Sequence, residues 1–215
     1  MKKLLFTGLT ALALAAPASA QSFSLTGQVQ ATYSQEVVPN LRVGVLGRLG
    51  AGVVPSPFSV GVLLRPFATY TVDVVENGPL SVSAFAGLRL PLTISLLPSP
   101  VEVGFDIVPR VGVDLTYKLS EMLDLLSGLE FAVDIPLAPS GRSVGYGLSG
   151  YVEADYYMNP LTIYGGLSLD QIVPTPFAWS LYLGADYALA SNLTFKGELG
   201  YGGGFYGLLR LAFTL

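Results

Sequence analysis

Residues 23–33 alternate strictly, with Phe23, Leu25, Val29, Ala31 and Tyr33 on one side and Ser24, Thr26, Gln28, Gln30 and Thr32 on the other. A period of two marks a strand with one apolar and one polar face. The same reading predicts strands near 41–53, 58–74, 80–96, 101–118, 123–137, 143–157, 161–170, 178–188, 193–201 and 205–215. Turn residues separate them: Pro39-Asn40, Pro55-Ser56-Pro57, Asn77-Gly78-Pro79, Pro98-Ser99-Pro100, Pro139-Ser140-Gly141, Asn159-Pro160, Pro174-Thr175-Pro176, Ser191-Asn192 and Gly202-Gly203-Gly204. No linker interrupts the pattern, so residues 21–215 read as one all-β domain. At one hairpin Leu119, Met122, Leu123 and Leu126 stand at helical spacing behind Ser120, an N-cap residue type. A single helical turn is a second expectation there.

Charge follows the same alternation. Of twenty-four charged residues after position 20, all but Glu36, Glu76, Glu121 and Arg142 fall inside the strands, and all twenty fit the polar side. The phase of each strand is free, so the first charge in each of ten charged strands carries no information. The remaining ten still agree, a chance of about one in a thousand for unpatterned strands. The opposite side is Leu, Val, Ile, Ala, Phe, Tyr and Gly throughout. A charge-free apolar face on every strand is what a lipid-facing sheet requires.

The N-terminus points to export. Lys2 and Lys3 precede the apolar run Leu4–Ala16, and Ala18-Ser19-Ala20 is a small-residue cleavage site. Residues 1–20 read as a secretory signal peptide, too short in its apolar part for a spanning helix. No later stretch reaches eighteen uninterrupted apolar residues, so membrane insertion here means strands. Apolar residues make up 51% and charged residues 12%, with mean hydropathy +0.57, high for a soluble exported protein. After position 20 the net charge is −6, which argues against a nucleic-acid partner. The chain has no Cys and no His, hence no disulfide framework.

Aromatic residues fall at two levels of the apolar face. Tyr33, Tyr70, Tyr117, Tyr156, Tyr187 and Phe213 lie near one end of the strands; Phe23, Phe58, Phe105, Tyr146, Trp179 and Phe205 lie near the other. Eight to twelve residues separate the sets. At ~3.3 Å per residue and a tilt near 40°, that is roughly 20–30 Å, the height of an outer-membrane apolar band between aromatic girdles. With the signal peptide, the alternation and the final strand Phe205–Leu215, the chain resembles the small bacterial outer-membrane β-barrel proteins, which are porin-like. The resemblance spans residues 21–215 and is to an architecture. It implies an antiparallel transmembrane β-barrel with membrane lipid around it, an outer-membrane location, and recognition of the last strand by the assembly machinery. Those proteins tend to end in an aromatic residue; here the last residue is Leu215, with Phe213 two places earlier.

Eleven strands are counted, whereas single-chain bacterial barrels use even numbers. Either one strand is miscounted, at the N-terminal strand or the Gly202–Gly204 hairpin, or the first and last strands pair in parallel. The expectation is ten or twelve strands.

With the polar face inward, the interior is asymmetric. Strands 41–96 carry Arg42, Arg48, Arg65 and Arg89 against Asp73. Strands 101–188 carry Glu102, Asp106, Asp114, Asp124, Glu130, Asp134, Glu153, Asp155, Asp170 and Asp186, against Arg110 and Lys118; the last two strands add Lys196, Glu198 and Arg210. Strand 58–74 would lie across from 161–170 and 178–188, so a basic wall faces an acidic one and sets a transverse field. Two outcomes follow. The walls line a narrow pore for small ions or solutes, mildly cation-preferring because twelve acidic residues face eight basic, or opposed charges pair and close a structural barrel. Ten to twelve strands fall between a filled barrel and an open channel. Inward-phase glycines (Gly44, Gly50, Gly52, Gly61, Gly87, Gly104, Gly112, Gly128, Gly145, Gly147, Gly166 and Gly184) leave space and favour the pore. A third reading, a secreted soluble barrel binding a small ligand, reverses the faces.

Catalysis is disfavoured. Without His or Cys there is no imidazole base, no Ser-His pair and no zinc or copper donor set. Glu153 and Asp155 share a face and suit Ca²⁺ in type, but interior charge accounts for them more simply. Gly145-Tyr146-Gly147 lies in a strand with no following helix, unlike a nucleotide loop. No enzyme activity, cofactor or metal is expected, and short connections argue against a large protein partner.

Overall fold

The structure is a computed structural model that describes residues 23–54, 58–98, 100–139, 141–173 and 177–215, apart from the side chains of Val53, Val54 and Ile172. The expected signal peptide at 1–20 and the turns Pro55–Pro57 and Pro174–Pro176 lie outside the described residues. The strands are β1 (Phe23–Val38), β2 (Leu41–Val54), β3 (Ser59–Asn77), β4 (Leu80–Arg89), β5 (Leu92–Leu97), β6 (Glu102–Ser120), β7 (Leu123–Ala138), β8 (Gly145–Met158), β9 (Leu161–Val173), β10 (Ala178–Ala190), β11 (Leu193–Tyr201) and β12 (Phe205–Thr214). The described residues form no helix.

Twelve segments make eleven staves. β4 and β5 both pair with β3 and with β6, on the same register, so they are two halves of one stave. Pro91 interrupts it because proline has no N–H to give the ladder. Leu90 N instead donates to Pro66 O at 2.9 Å, and Asp106 N donates to Pro91 O at 3.1 Å.

The staves close on themselves. Neighbouring staves are antiparallel except at one seam, where β1 pairs β12 in parallel from Phe23↔Phe205 to Thr32↔Thr214. The expected even count is therefore corrected to eleven. The N-terminal strand and the Gly202–Gly204 hairpin both stand, and the parallel seam resolves the parity, since an odd number of alternating staves must close with one like-directed pair.

Five two-residue turns, at 39–40, 78–79, 121–122, 159–160 and 191–192, gather at one end. Asn40 (φ 69°) and Gly78 (φ 59°) supply the left-handed backbone that tight turns need. Register shifts beside four of these turns, at Glu36/Val38, Asp73/Val75, Lys118/Ser120 and Ala188/Ala190, absorb the extra residue as bulges. The helical alternative at 119–126 is not formed. Glu121 and Met122 make a tight turn in which Met122 N donates to Ser120 Oγ at 3.2 Å, so the apolar spacing there belongs to two strands. The longer, Pro-rich connections lie at the other end.

The apolar face is the convex one. Large hydrophobic side chains such as Val29, Leu49, Val111, Leu129, Val152 and Leu181 stand exposed on it, while the charged side chains find their partners along the concave face. A soluble carrier needs the opposite arrangement. Leu183 sits at the middle of β10 on this convex face and is 51% exposed. In a bilayer, Leu183→Arg is expected to lower barrel stability by about 2–4 kcal/mol, read from urea unfolding in lipid vesicles. A wild-type midpoint would mean that this face does not meet hydrocarbon.

Candidate functional site: the charged interior

Register fixes which residues share the interior. Cross-strand partners run Gln30↔Arg48, Arg48↔Leu63 and Leu63↔Thr93 on one side, and Asp114↔Gly128, Gly128↔Tyr151 and Tyr151↔Ser168 on another. On this concave phase lie Arg42 and Arg48 of β2, Arg65 of β3 and Arg89 of β4. They are joined by Glu102, Asp106, Arg110 and Asp114 of β6, Glu130 and Asp134 of β7, and Glu153 and Asp155 of β8. Asp170 of β9, Asp186 of β10 and Arg210 of β12 complete the set.

Five arginines form an arc at one level. Arg48 faces Leu63, two residues from Arg65; Arg89 faces Val108, two residues from Arg110; Arg110 faces Ala132, two residues from Glu130. Stepping two residues per stave follows the strand tilt of a barrel and so holds the row at constant height. Arg210 extends the row beyond the seam, where Gln28 and Gln30 of β1 accept from its Nε (3.0 Å) and from Arg48 Nε and Nη2 (3.3 and 3.1 Å).

Glu130 anchors the other end. Arg89 donates to both its oxygens at 2.9 and 3.0 Å, a bidentate pair, and Arg110 Nη1 donates to Oε2 at 2.7 Å. Arg110 also donates to Thr69 Oγ1 at 2.9 Å and stacks 4.7 Å above the Phe85 ring.

The acidic wall is held mostly by tyrosines. Tyr164 and Tyr206 donate to Glu198 at 3.0 and 3.3 Å, and Tyr151 donates to Asp114 at 3.4 Å. Lys196 lies 4.0 Å from Asp186, 3.8 Å from Glu198 and 4.1 Å above the Tyr164 ring. At the Pro-rich mouth, Asp106, only 7% exposed, accepts from Arg142 at 2.8 and 3.4 Å, and Asp134 lies 3.8 Å from the same guanidinium. Arg142 belongs to a connection by sequence, yet its side chain reaches back to the mouth.

Among the described residues, no ion pair links staves more than two apart. Arg89 reaches Glu130 across one stave, and Lys196 reaches Asp186 on the next. Basic and acidic walls meet laterally at Glu130, next to a cavity of about 360 Å³ bounded by Arg89, Arg110, Asp114, Tyr151 and Asp170. No group of three or more acidic residues converges there as a metal site would need, among the described residues.

The glycines need a correction. The alternation suggests that they leave interior space, but an aromatic ring covers five of the twelve positions, and Gly200 besides. Phe67 lies over Gly44, Phe85 over Gly112, Tyr151 over Gly128, Tyr182 over Gly166, Tyr164 over Gly184 and Tyr206 over Gly200. Each ring stands directly opposite its glycine in the register. The missing Cβ lets the ring lie along the wall, a pairing that protects the bare strand. A methyl on Gly44 would sit 2.6 Å from Phe67 Cζ.

On the convex face, the aromatic residues fall at two levels along the strands. Tyr33, Tyr70, Tyr117, Tyr156, Tyr187 and Phe213 lie by the two-residue turns, and Phe23, Phe58, Phe105, Tyr146, Trp179 and Phe205 lie by the Pro-rich end. Tyr201, which alternation alone does not single out, bridges Trp179 and Phe205 with ring centroids 5.8 and 5.0 Å away.

No protein-family model matches the chain, and no curated protein matches it. Among solved structures, the KdgM porin is similar at 15% identity over 85% of this chain and 92% of its own, with a TM-score of 0.48. The NanC porin is similar at 13% identity over 83% and 90%, with a TM-score of 0.40. A Rh. blastica porin mutant is similar at 11% identity over 81% and 84%, with a TM-score of 0.26.

Proposed function

We propose that this chain is an outer-membrane β-barrel forming a narrow passive channel for small hydrophilic solutes. The observation that carries the reading is the lateral direction of the interior ion pairs. Charges that pair along the wall leave the middle of the barrel to solvent, whereas a plugged barrel needs pairs that reach across. The convex apolar face between two aromatic levels supports a lipid environment, and residues 1–20 would direct export. Twelve interior carboxylates against eight basic groups favour cations mildly, while the arginine arc gives anions a separate lane.

The competing reading is a structural barrel with a filled interior, and the six inward rings favour it. Reversing charge in the arc separates the two. Arg48→Glu with Arg65→Glu is expected to move the zero-current potential in a salt gradient towards cation selectivity. An unchanged potential counts against an arc that lines the path. Cell fractionation tests location: detergent-extractable material in the outer-membrane fraction is expected, and freely soluble protein would end the membrane reading.

A further inference from the structure

Four of the five tight turns are preceded by a bulge, and the extra residue is apolar each time: Val37, Val74, Leu119 and Leu189. A bulge sets two residues of one strand against one of its partner, so the alternation slips there. Val38 stands opposite Leu41, and Leu41 opposite Tyr70 of the convex face. Val37 has the same phase when counted from Tyr33, so two successive valines turn outward. The other three bulges slip in the same sense, through Val75↔Val82, Ser120↔Leu123 and Ala190↔Leu193.

The four bulge residues are from 44% to 60% exposed. Single exposed apolar residues are ordinary on a protein surface, but these stand at one level. Met158, at the turn without a bulge, and Leu215, whose N donates to Thr32 O beside the seam, take the corresponding places. An apolar ring therefore runs round the whole tight-turn rim. It lies four residues past Tyr33 and Tyr70 and two past Tyr117 and Tyr187. At ~3.3 Å per residue and a tilt near 40°, that is roughly 5–10 Å beyond the tyrosines. Gln35 is the one polar side chain on the convex phase between the two levels, and its Oε1 accepts from the Tyr33 hydroxyl at 2.9 Å. Protein thus supplies that hydroxyl with the partner that water supplies at an open surface.

We propose that the bulge ring is a lipid-anchoring surface that seats the tight-turn rim among the headgroups, one level beyond the tyrosines. The ring is continuous with the convex apolar face and encircles the barrel, as contact with a bilayer requires. A protein partner would meet one arc of it. The bulges serve this directly: by slipping the alternation they turn an added apolar side chain outward where the ladder ends. The inference rests on the membrane reading of the convex face.

The chain has no cysteine, so single introduced cysteines can be labelled cleanly. Bimane is attached at Val74→Cys, Leu119→Cys or Leu189→Cys, with Leu183→Cys in the middle of the apolar face and Glu121→Cys at a turn tip as references. Each protein is refolded into phosphatidylcholine vesicles, and folding is verified by heat-modifiable gel mobility. The quenchers are aqueous iodide on both sides of the membrane and a lipid carrying a nitroxide near its headgroup. Ring labels are expected to be quenched by the nitroxide lipid, and by iodide several-fold less than Glu121→Cys. The three ring sites lie outside the ladder and report independently, so any one that folds decides. Iodide quenching at the ring equal to that at Glu121→Cys, with Leu183→Cys shielded, overturns this proposal and leaves the membrane reading standing. A ring shielded from iodide yet untouched by the nitroxide lipid overturns it in favour of contact between copies of the chain. Iodide access at Leu183→Cys sinks the membrane reading, and this proposal with it.

Discussion

Glu130→Gln is expected to raise the anion-to-cation permeability ratio about tenfold. The carboxylate is the one acceptor shared by Arg89 and Arg110, and its neutral isostere leaves the arc from Arg48 to Arg110 without a counter-charge. At about 6 Å and an effective dielectric near 80, one unit charge is worth roughly 0.7 kcal/mol to each ion, and the opposite shifts of anion and cation together give that tenfold ratio. Stability should fall too, by about 1–3 kcal/mol, because two part-buried guanidiniums lose a charged acceptor. Zero-current potentials in asymmetric potassium chloride read the first effect and thermal unfolding the second. A wild-type potential would show that the arc does not control passage.

Gly184→Val should be the most damaging substitution on the interior wall. Tyr164 is 3% exposed and lies over Gly184, with its hydroxyl on Glu198 and Lys196 above its ring. An isopropyl group in the place of the ring forces it off the wall. Overpacking of this kind costs about 1–3 kcal/mol, and the lost hydrogen bond to a charged acceptor adds about 1.5–3. The ring would then project into the interior and narrow it. Refolding yield in detergent and, for the folded fraction, single-channel conductance should both drop. Gly50→Val is the control. At Gly50 the nearest atom to an added Cβ is Gln28 Cγ at 3.8 Å, so little change is expected.

How far the sequence carries depends on the distance over which each feature is encoded. Face assignment is local: Arg110, Asp114 and Glu130 declare their phase through residues two places away. Element boundaries follow as well, since Asn77-Gly78 and Asn159-Pro160 mark tight turns. Stave pairing across the seam is not local. Nothing near Phe23 or Phe205 states that these strands run alike, and parity alone points equally to a miscounted strand.

The glycine–aromatic pairs fall between these cases. Tyr206 opposite Gly200 follows from a hairpin centred on Gly203 (φ 73°), so that pair can be read from the turn. Phe85 over Gly112 spans the bulged and interrupted stave near Pro91 and needs the three-dimensional register. Arg142 is hidden for a related reason. Spacing places it in a turn, but the connection from Ala138 to Gly145 is long enough to return its guanidinium to Asp106.

The most direct measurement of the central claim is the conductance of the purified, folded protein in a planar bilayer. Discrete, ohmic single-channel steps, with a zero-current potential in a salt gradient that favours cations mildly, are the predicted result. A barrel that inserts, shown by heat-modifiable mobility and protease protection in the same lipid, yet passes no current would contradict the account and identify a closed structural barrel.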